Sequence, residues 1–169
     1  MSLWDDFKKH KESGSDKKFL YKEGNYICVI ESVYLDLQNK YGPRVSVTLT
    51  HKNKSKAWIQ INKSMDDNMW PIYDAIKFLK IEENMKQTLE IENVGVDKVL
   101  TDLHSVITNL VGHYISVYVK TAKNGKQYTH LKGISTQAEY DSFNFPPMIV
   151  VKNDDSSSLG INTNEEIPF

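Results

Sequence analysis

The chain lacks most of the residues that would make it a disulfide-stapled, metal-bound or membrane-spanning protein. Its one cysteine, Cys28, has no partner for an internal disulfide and no second thiol for a structural zinc site. The pattern around it predicts a reduced, half-buried strand residue rather than a reactive thiol. No apolar run approaches the roughly 20 residues of a membrane-spanning helix, and residues 1–15 lack the apolar centre of a secretory signal. The expectation is a cytoplasmic protein with no membrane partner. The histidines (His10, His51, His104, His113 and His130) are scattered without metal-ligand spacing, and neither a glycine-rich phosphate loop nor a nucleophile elbow is present. The acidic pairs Asp5-Asp6, Asp66-Asp67 and Glu82-Glu83 read as helix caps or solvated surface, with a magnesium-dependent nuclease as the weaker alternative. These absences predict no catalytic site, no cofactor and no metal.

What is present suits one globular domain with appendages: 169 residues, 40% hydrophobic and 25% charged. The net charge of -1 hides a segregation of sign. Residues 1–135 carry 20 Lys/Arg against 16 Asp/Glu, a net of +4, whereas residues 136–169 carry one against six, a net of -5. A basic body with an acidic tail is a charge asymmetry associated with nucleic-acid binders.

The N-terminal stretch "MSLWDDFKKHKE" spaces Trp4 and Phe7 for a short amphipathic helical turn that docks on the body. From Tyr26 to Leu37, "YICVIESVYLDL" is a strand rich in β-branched and aromatic residues, long enough to bend or bulge and serve two pairings. "RVSVTLTH" alternates, with Val45, Val47 and Leu49 on one face. "AWIQIN" repeats the pattern with Ile59 and Ile61 inward and Trp58 outward, an unusual place for a ring that large. The middle is helical. "SMDDNMWPIYDAIKFLK" has an Asp66-Asp67-Asn68 cap, Pro71 in the first turn, and Ile72, Ile76 and Leu79 on one face. "DKVLTDLHSVITNLVG" is a second helix stopped by Gly112, and residues 81–95 receive no assignment.

Strands return in "HYISVYVKT" and "YTHLKGI" around "AKNGKQ". A two-residue Asn124-Gly125 turn would mix polar and apolar residues on each face. A three-residue loop with Gly125 left-handed pairs Tyr118 with His130 and Lys120 with Tyr128, and gives a clean core face of Ile115, Val117, Val119 and Leu131. The expected domains are therefore an N-terminal segment (1–22), a five-stranded body (23–135), and a polar linker with an acidic, disordered tail (136–169).

Three strands, a helical insertion and two strands form the order of a mainly β, five-stranded oligonucleotide/oligosaccharide-binding (OB) barrel, whose ligand face lies on strands 2 and 3 and the loops beside them. On that template the candidate single-stranded DNA contacts are Trp58 and Arg44 on the strands and Lys40 and Tyr41 in the first loop. Lys52, Lys54 and Lys56 join them from the second loop, with Tyr114, Tyr118, Lys120, Lys123, Lys126 and Tyr128 on the last hairpin. Single strands need cations along the phosphates and flat rings for the bases, and these segments interleave the two. Tyr26 and Tyr34 read as structural, and Trp70 and Tyr73 as core.

The chain closes on "NEEIPF", two carboxylates before an apolar tip. An OB-type body, a polar linker and this ending resemble the bacterial and bacteriophage single-stranded DNA-binding proteins, whose last residues typically read Asp-Asp-Ile-Pro-Phe. Glu165 and Glu166 stand for the two aspartates, and Ile167, Pro168 and Phe169 match as they are. The long insertion between strands 3 and 4 points to a phage-encoded member, acting in the cytosol of an infected host. The resemblance implies a non-enzymatic protein that coats single-stranded DNA in replication, recombination and repair, with little sequence preference. It also implies that Glu165–Phe169 recruits polymerase, helicase, recombinase or primase-type partners, and it admits a homo-oligomer. The alternative is a replisome or recombination adaptor whose barrel binds proteins.

Overall fold

The computed structural model describes residues 2–5, 7–8 and 17–152. They divide into two units, one made of Gly24–Lys120 and Tyr128–Phe145, the other of the described parts of Met1–Glu23, Thr121–Gln127 and Pro146–Phe169. The larger unit is mainly β. Strands β2 (Gly24–Asp36), β3 (Arg44–Thr50), β4 (Lys56–Ile61), β5 (Tyr114–Thr121) and β6 (Gln127–Ser135) form a curled antiparallel sheet in the order β4-β3-β2-β5-β6.

β2 is the spine of this sheet because it is long and because it bulges. Its residues 24–29 pair with β5 and its residues 29–36 pair with β3, with a register shift between Ile30 and Ser32. An extra residue reverses the alternation of a strand, since side chains repeat every two residues. Tyr26, Cys28 and Ile30 accordingly point into the core, whereas beyond the bulge Val33 and Leu35 pair with the buried Val47 and Val45, and Tyr34 turns outward. Cys28 is fully buried, not half-buried.

The hairpin closes through the Ala122 N–H donating to the Lys126 carbonyl at 2.8 Å, with Gly125 at φ 84°. This is the three-residue loop, and glycine takes the left-handed position without a Cβ penalty. Ile115, Val117 and Val119 are buried and Tyr128, His130 and Lys132 exposed, as the alternation requires.

Three helices fill the insertion between β4 and β5: α1 (Trp70–Phe78), α2 (Glu82–Leu89) and α3 (Val96–Thr108). α2 occupies the stretch the sequence pattern left unassigned. α3 buries Val99, Leu100, Leu103 and Ile107 and packs on β2 and β3. Each such side chain contributes about 1.5–3 kcal/mol by leaving water. α1 buries Ile72, Ala75 and Ile76, with Leu79 just beyond it. Its N-cap position is Met69, not the Asp66-Asp67-Asn68 cluster, and carries no side-chain cap; Asn68 Oδ1 accepts from one amide, the Trp70 N–H, at 2.9 Å. Asp67 takes no part in the cap and holds Lys63 at 3.1 Å. Trp70 and Tyr73, expected in the core, are exposed.

Residues 136–145, grouped with the tail by composition, belong to the larger unit. Thr136 caps α4 (Gln137–Ser142) in a reciprocal box with Glu139. Phe143 and Phe145 then pack on Tyr26 at 5.9 and 5.3 Å between ring centres.

In the smaller unit β1 (Lys17–Leu20) pairs antiparallel with β7 (Ile149–Lys152). The Gln127 side chain clamps Tyr21 through both backbone groups, accepting from its N–H at 2.9 Å and donating to its carbonyl at 2.7 Å. Trp4 and Phe7 stack on each other at 5.5 Å between ring centres and are exposed. No helix among the described residues is long and apolar enough to cross a membrane.

Candidate nucleic-acid interface

The outward face of β2, β3 and β4 is built in rows across the strands. Ser32, Thr48 and Trp58 form one row, Tyr34, Ser46 and Gln60 the next, and Asp36 pairs with Arg44 in the third. Ser46 Oγ donates to Gln60 Oε1 at 2.7 Å, which ties the middle row together. Trp58 is 58% exposed and Tyr34 66% exposed. Strand spacing sets their backbones about 10 Å apart across the sheet. Two large rings held outward by inward neighbours offer solvent the kind of aromatic surface on which flat ring systems can stack.

The loop after β2 adds a third ring. Tyr41 is exposed, with Lys40 Nζ 4.9 Å from its ring centre. The Tyr41 N–H donates to Asn39 Oδ1 at 2.9 Å, and Gly42 adopts φ 105°, which closes the turn. Arg44 braces that turn, donating through Nε to the Gly42 carbonyl and through a terminal nitrogen to the Tyr41 carbonyl, both at 3.4 Å. Two of its five donors are thereby used.

Charge is sorted along the sequence in the same sense. Residues 37–65 contain six Lys/Arg and no carboxylate, and residues 103–138 contain four lysines and no carboxylate. Lys54, Lys120, Lys123 and Lys126 are exposed, as is Tyr128, while Tyr118 is half-buried. Lys123 and Lys126 belong to the hairpin tip in the smaller unit.

Two of the expected cations are engaged within the protein. Lys52 Nζ donates to the carbonyls of Tyr140, Asp141 and Phe143 at 2.8, 3.0 and 2.8 Å, and lies 5.1 Å from the Tyr140 ring centre. An ammonium has three protons, so Lys52 is a latch on the end of α4 with none left for a phosphate. Lys56 pairs with Glu31 and also donates to Thr50 Oγ1 at 3.1 Å. Tyr114 lies against Tyr140, with ring centres 4.8 Å apart. The tip residues Glu165, Glu166, Ile167, Pro168 and Phe169 lie outside the described residues.

Beneath the sheet, Cys28 Sγ sits 3.3 Å from His51 Nδ1, with Tyr26 and Phe145 edge-on to the imidazole at 5.2 and 5.6 Å. Burial pushes the thiol up to about 12 and the imidazole down to about 4. Although a Cys–His pair is the makings of a nucleophile, the thiolate is the reactive form and it needs access. Here the pair is neutral and enclosed, which suits packing. Among the described residues no three of His, Cys, Asp and Glu gather where they could hold a metal ion.

Tyr34, Trp70 and Tyr73 are the exposed rings the sequence pattern misplaced. Compared with known proteins, the chain matches no family model and no curated protein.

Proposed function

We propose that the chain is a single-stranded DNA-binding protein of OB type, which coats transient single strands with little sequence preference. The observation that carries this is the pair of outward rings, Trp58 and Tyr34, on a sheet face whose β3 and β4 segments contain no carboxylate. The strand order supports it, since β4-β3-β2-β5-β6 with helices between β4 and β5 is the order of a five-stranded OB barrel opened between its third and fifth strands.

In this account bases stack on Trp58, Tyr34 and Tyr41, at about 1–3 kcal/mol for each base. Lys40, Arg44, Lys54 and Lys120 meet phosphates. Every base has a π-face, so recognition by stacking tolerates any sequence. The tip Glu165–Phe169 recruits replication or recombination proteins: its carboxylates suit Lys/Arg pockets and Phe169 supplies an apolar anchor.

Fluorescence anisotropy of a labelled oligo(dT) titrated with the full chain tests the proposal. Salt-sensitive binding with the oligonucleotide left intact is the expected result. Absence of binding at low salt would leave the adaptor role, and magnesium-dependent shortening of the DNA would restore the nuclease.

A further inference from the structure

We propose that the helical insertion carries a second docking surface, for a basic and apolar segment of a partner protein. Trp70 is 65% exposed and Tyr73 43% exposed, and their rings meet edge to face at 6.0 Å on one side of α1. A rigid aromatic pair of this kind offers large contact area at little entropic cost, and Trp and Tyr are the residues on which interfaces concentrate their binding energy. Beside it opens a groove of about 340 Å³ lined by Met69, Tyr73, Leu89, Val94, Val96 and Lys63. Met65 and Ile91, near the two ends of this chain segment, are also exposed.

Charge selects the occupant. Residues 62–97 hold four lysines against eight carboxylates, a net of -4. Asp74 follows Tyr73, Glu90 and Glu92 flank Ile91, and Asp97 follows Val96, all of them exposed. Lys63, the cation among the groove's lining residues, is held by Asp67 at 3.1 Å. Nucleic acid is repelled by such a rim, whereas a segment alternating Lys/Arg with apolar side chains meets opposite charge at the edge and the side chains of Met69, Leu89, Val94 and Val96 in the groove. The surface is therefore opposite in charge to the segments that supply the sheet-face cations, and stands whether or not the sheet binds DNA.

Calorimetric titration of the full chain with an amphipathic leucine-lysine peptide, and with the same peptide carrying glutamate at each lysine, tests this. The lysine peptide binds and the glutamate peptide does not. Trp70→Ala with Tyr73→Ala weakens the lysine peptide by at least about tenfold, and Glu90→Lys with Glu92→Lys by about threefold or more. All four side chains are exposed, so these variants keep the fold, which circular dichroism verifies. Equal affinity of the two peptides, or unchanged binding in the Trp70/Tyr73 variant, overturns the proposal. So does binding that disappears on deleting Glu165–Phe169, or concentration-dependent dimerisation that Trp70→Ala abolishes, which would put a second copy on the surface.

Discussion

The sheet face and the helical insertion both expose large aromatic rings, yet the chain segments that carry those rings are opposite in charge. Residues 37–61, around Trp58, hold five Lys/Arg and no carboxylate, and residues 62–97, around Trp70, carry twice as many carboxylates as lysines. In the proposed account an exposed ring awaits a partner, and the charge beside it selects which kind. On the proposed reading, the unit keeps two binding chemistries apart by sorting charge along its sequence.

The largest expected effect separates the two faces directly. Trp58→Ala combined with Tyr34→Ala removes two stacking platforms and lowers oligo(dT) affinity by about 30-fold or more. Trp70→Ala leaves it unchanged, and a loss there would merge the two faces into one.

The interiors differ as well. Under the sheet lies His51, while the helices bury apolar residues such as Ile72, Met85 and Leu103. Because the folded imidazole titrates near 4 against 6.5 in the open, the unfolded chain binds the extra proton first as pH falls. Stability is therefore full above about pH 6.5 and declines toward pH 4, by about 2–3 kcal/mol at pH 4.5. Urea unfolding at pH 7 and 4.5 measures it, and His51→Gln should flatten the difference. Lys52→Met strips three carbonyls of their donor and is expected to cost about 2 kcal/mol, read as a lower unfolding midpoint. The smallest effect belongs to Arg44→Gln, which should reduce the slope of log affinity against log salt by about 0.7, one phosphate's worth on a single strand.

Much of this was legible in the sequence because it is local. The hairpin register follows from which pairing keeps Val117 and Leu131 on one face, and the outward direction of Trp58 follows from Ile59 and Ile61. Tyr34 was missed although a bulge was expected, since parity counted from Tyr26 reverses once the bulge is passed. Trp70 and Tyr73 were legible in principle: with Ile72, Ile76 and Leu79 inward, helical spacing turns positions 70, 73 and 77 roughly 100–170° away from the buried stripe. Aromatic character outweighed that arithmetic. The role of Lys52 was not legible, because its acceptors lie 88 to 91 residues away and depend on where α4 comes to rest. α2 was hidden by its shortness and by having just Met85 and Thr88 buried.

The central claim is that the β2-β3-β4 face binds single strands by stacking and phosphate contact. Titration of oligo(dT) with the wild type and the Trp58→Ala/Tyr34→Ala variant, at several salt concentrations, tests it most directly. The expected result is a wild-type log–log salt slope near about -3, from four phosphate contacts, with the variant keeping that slope at an affinity about 30-fold or more lower. Equal affinity of the folded variant and the wild type at every salt concentration would contradict it.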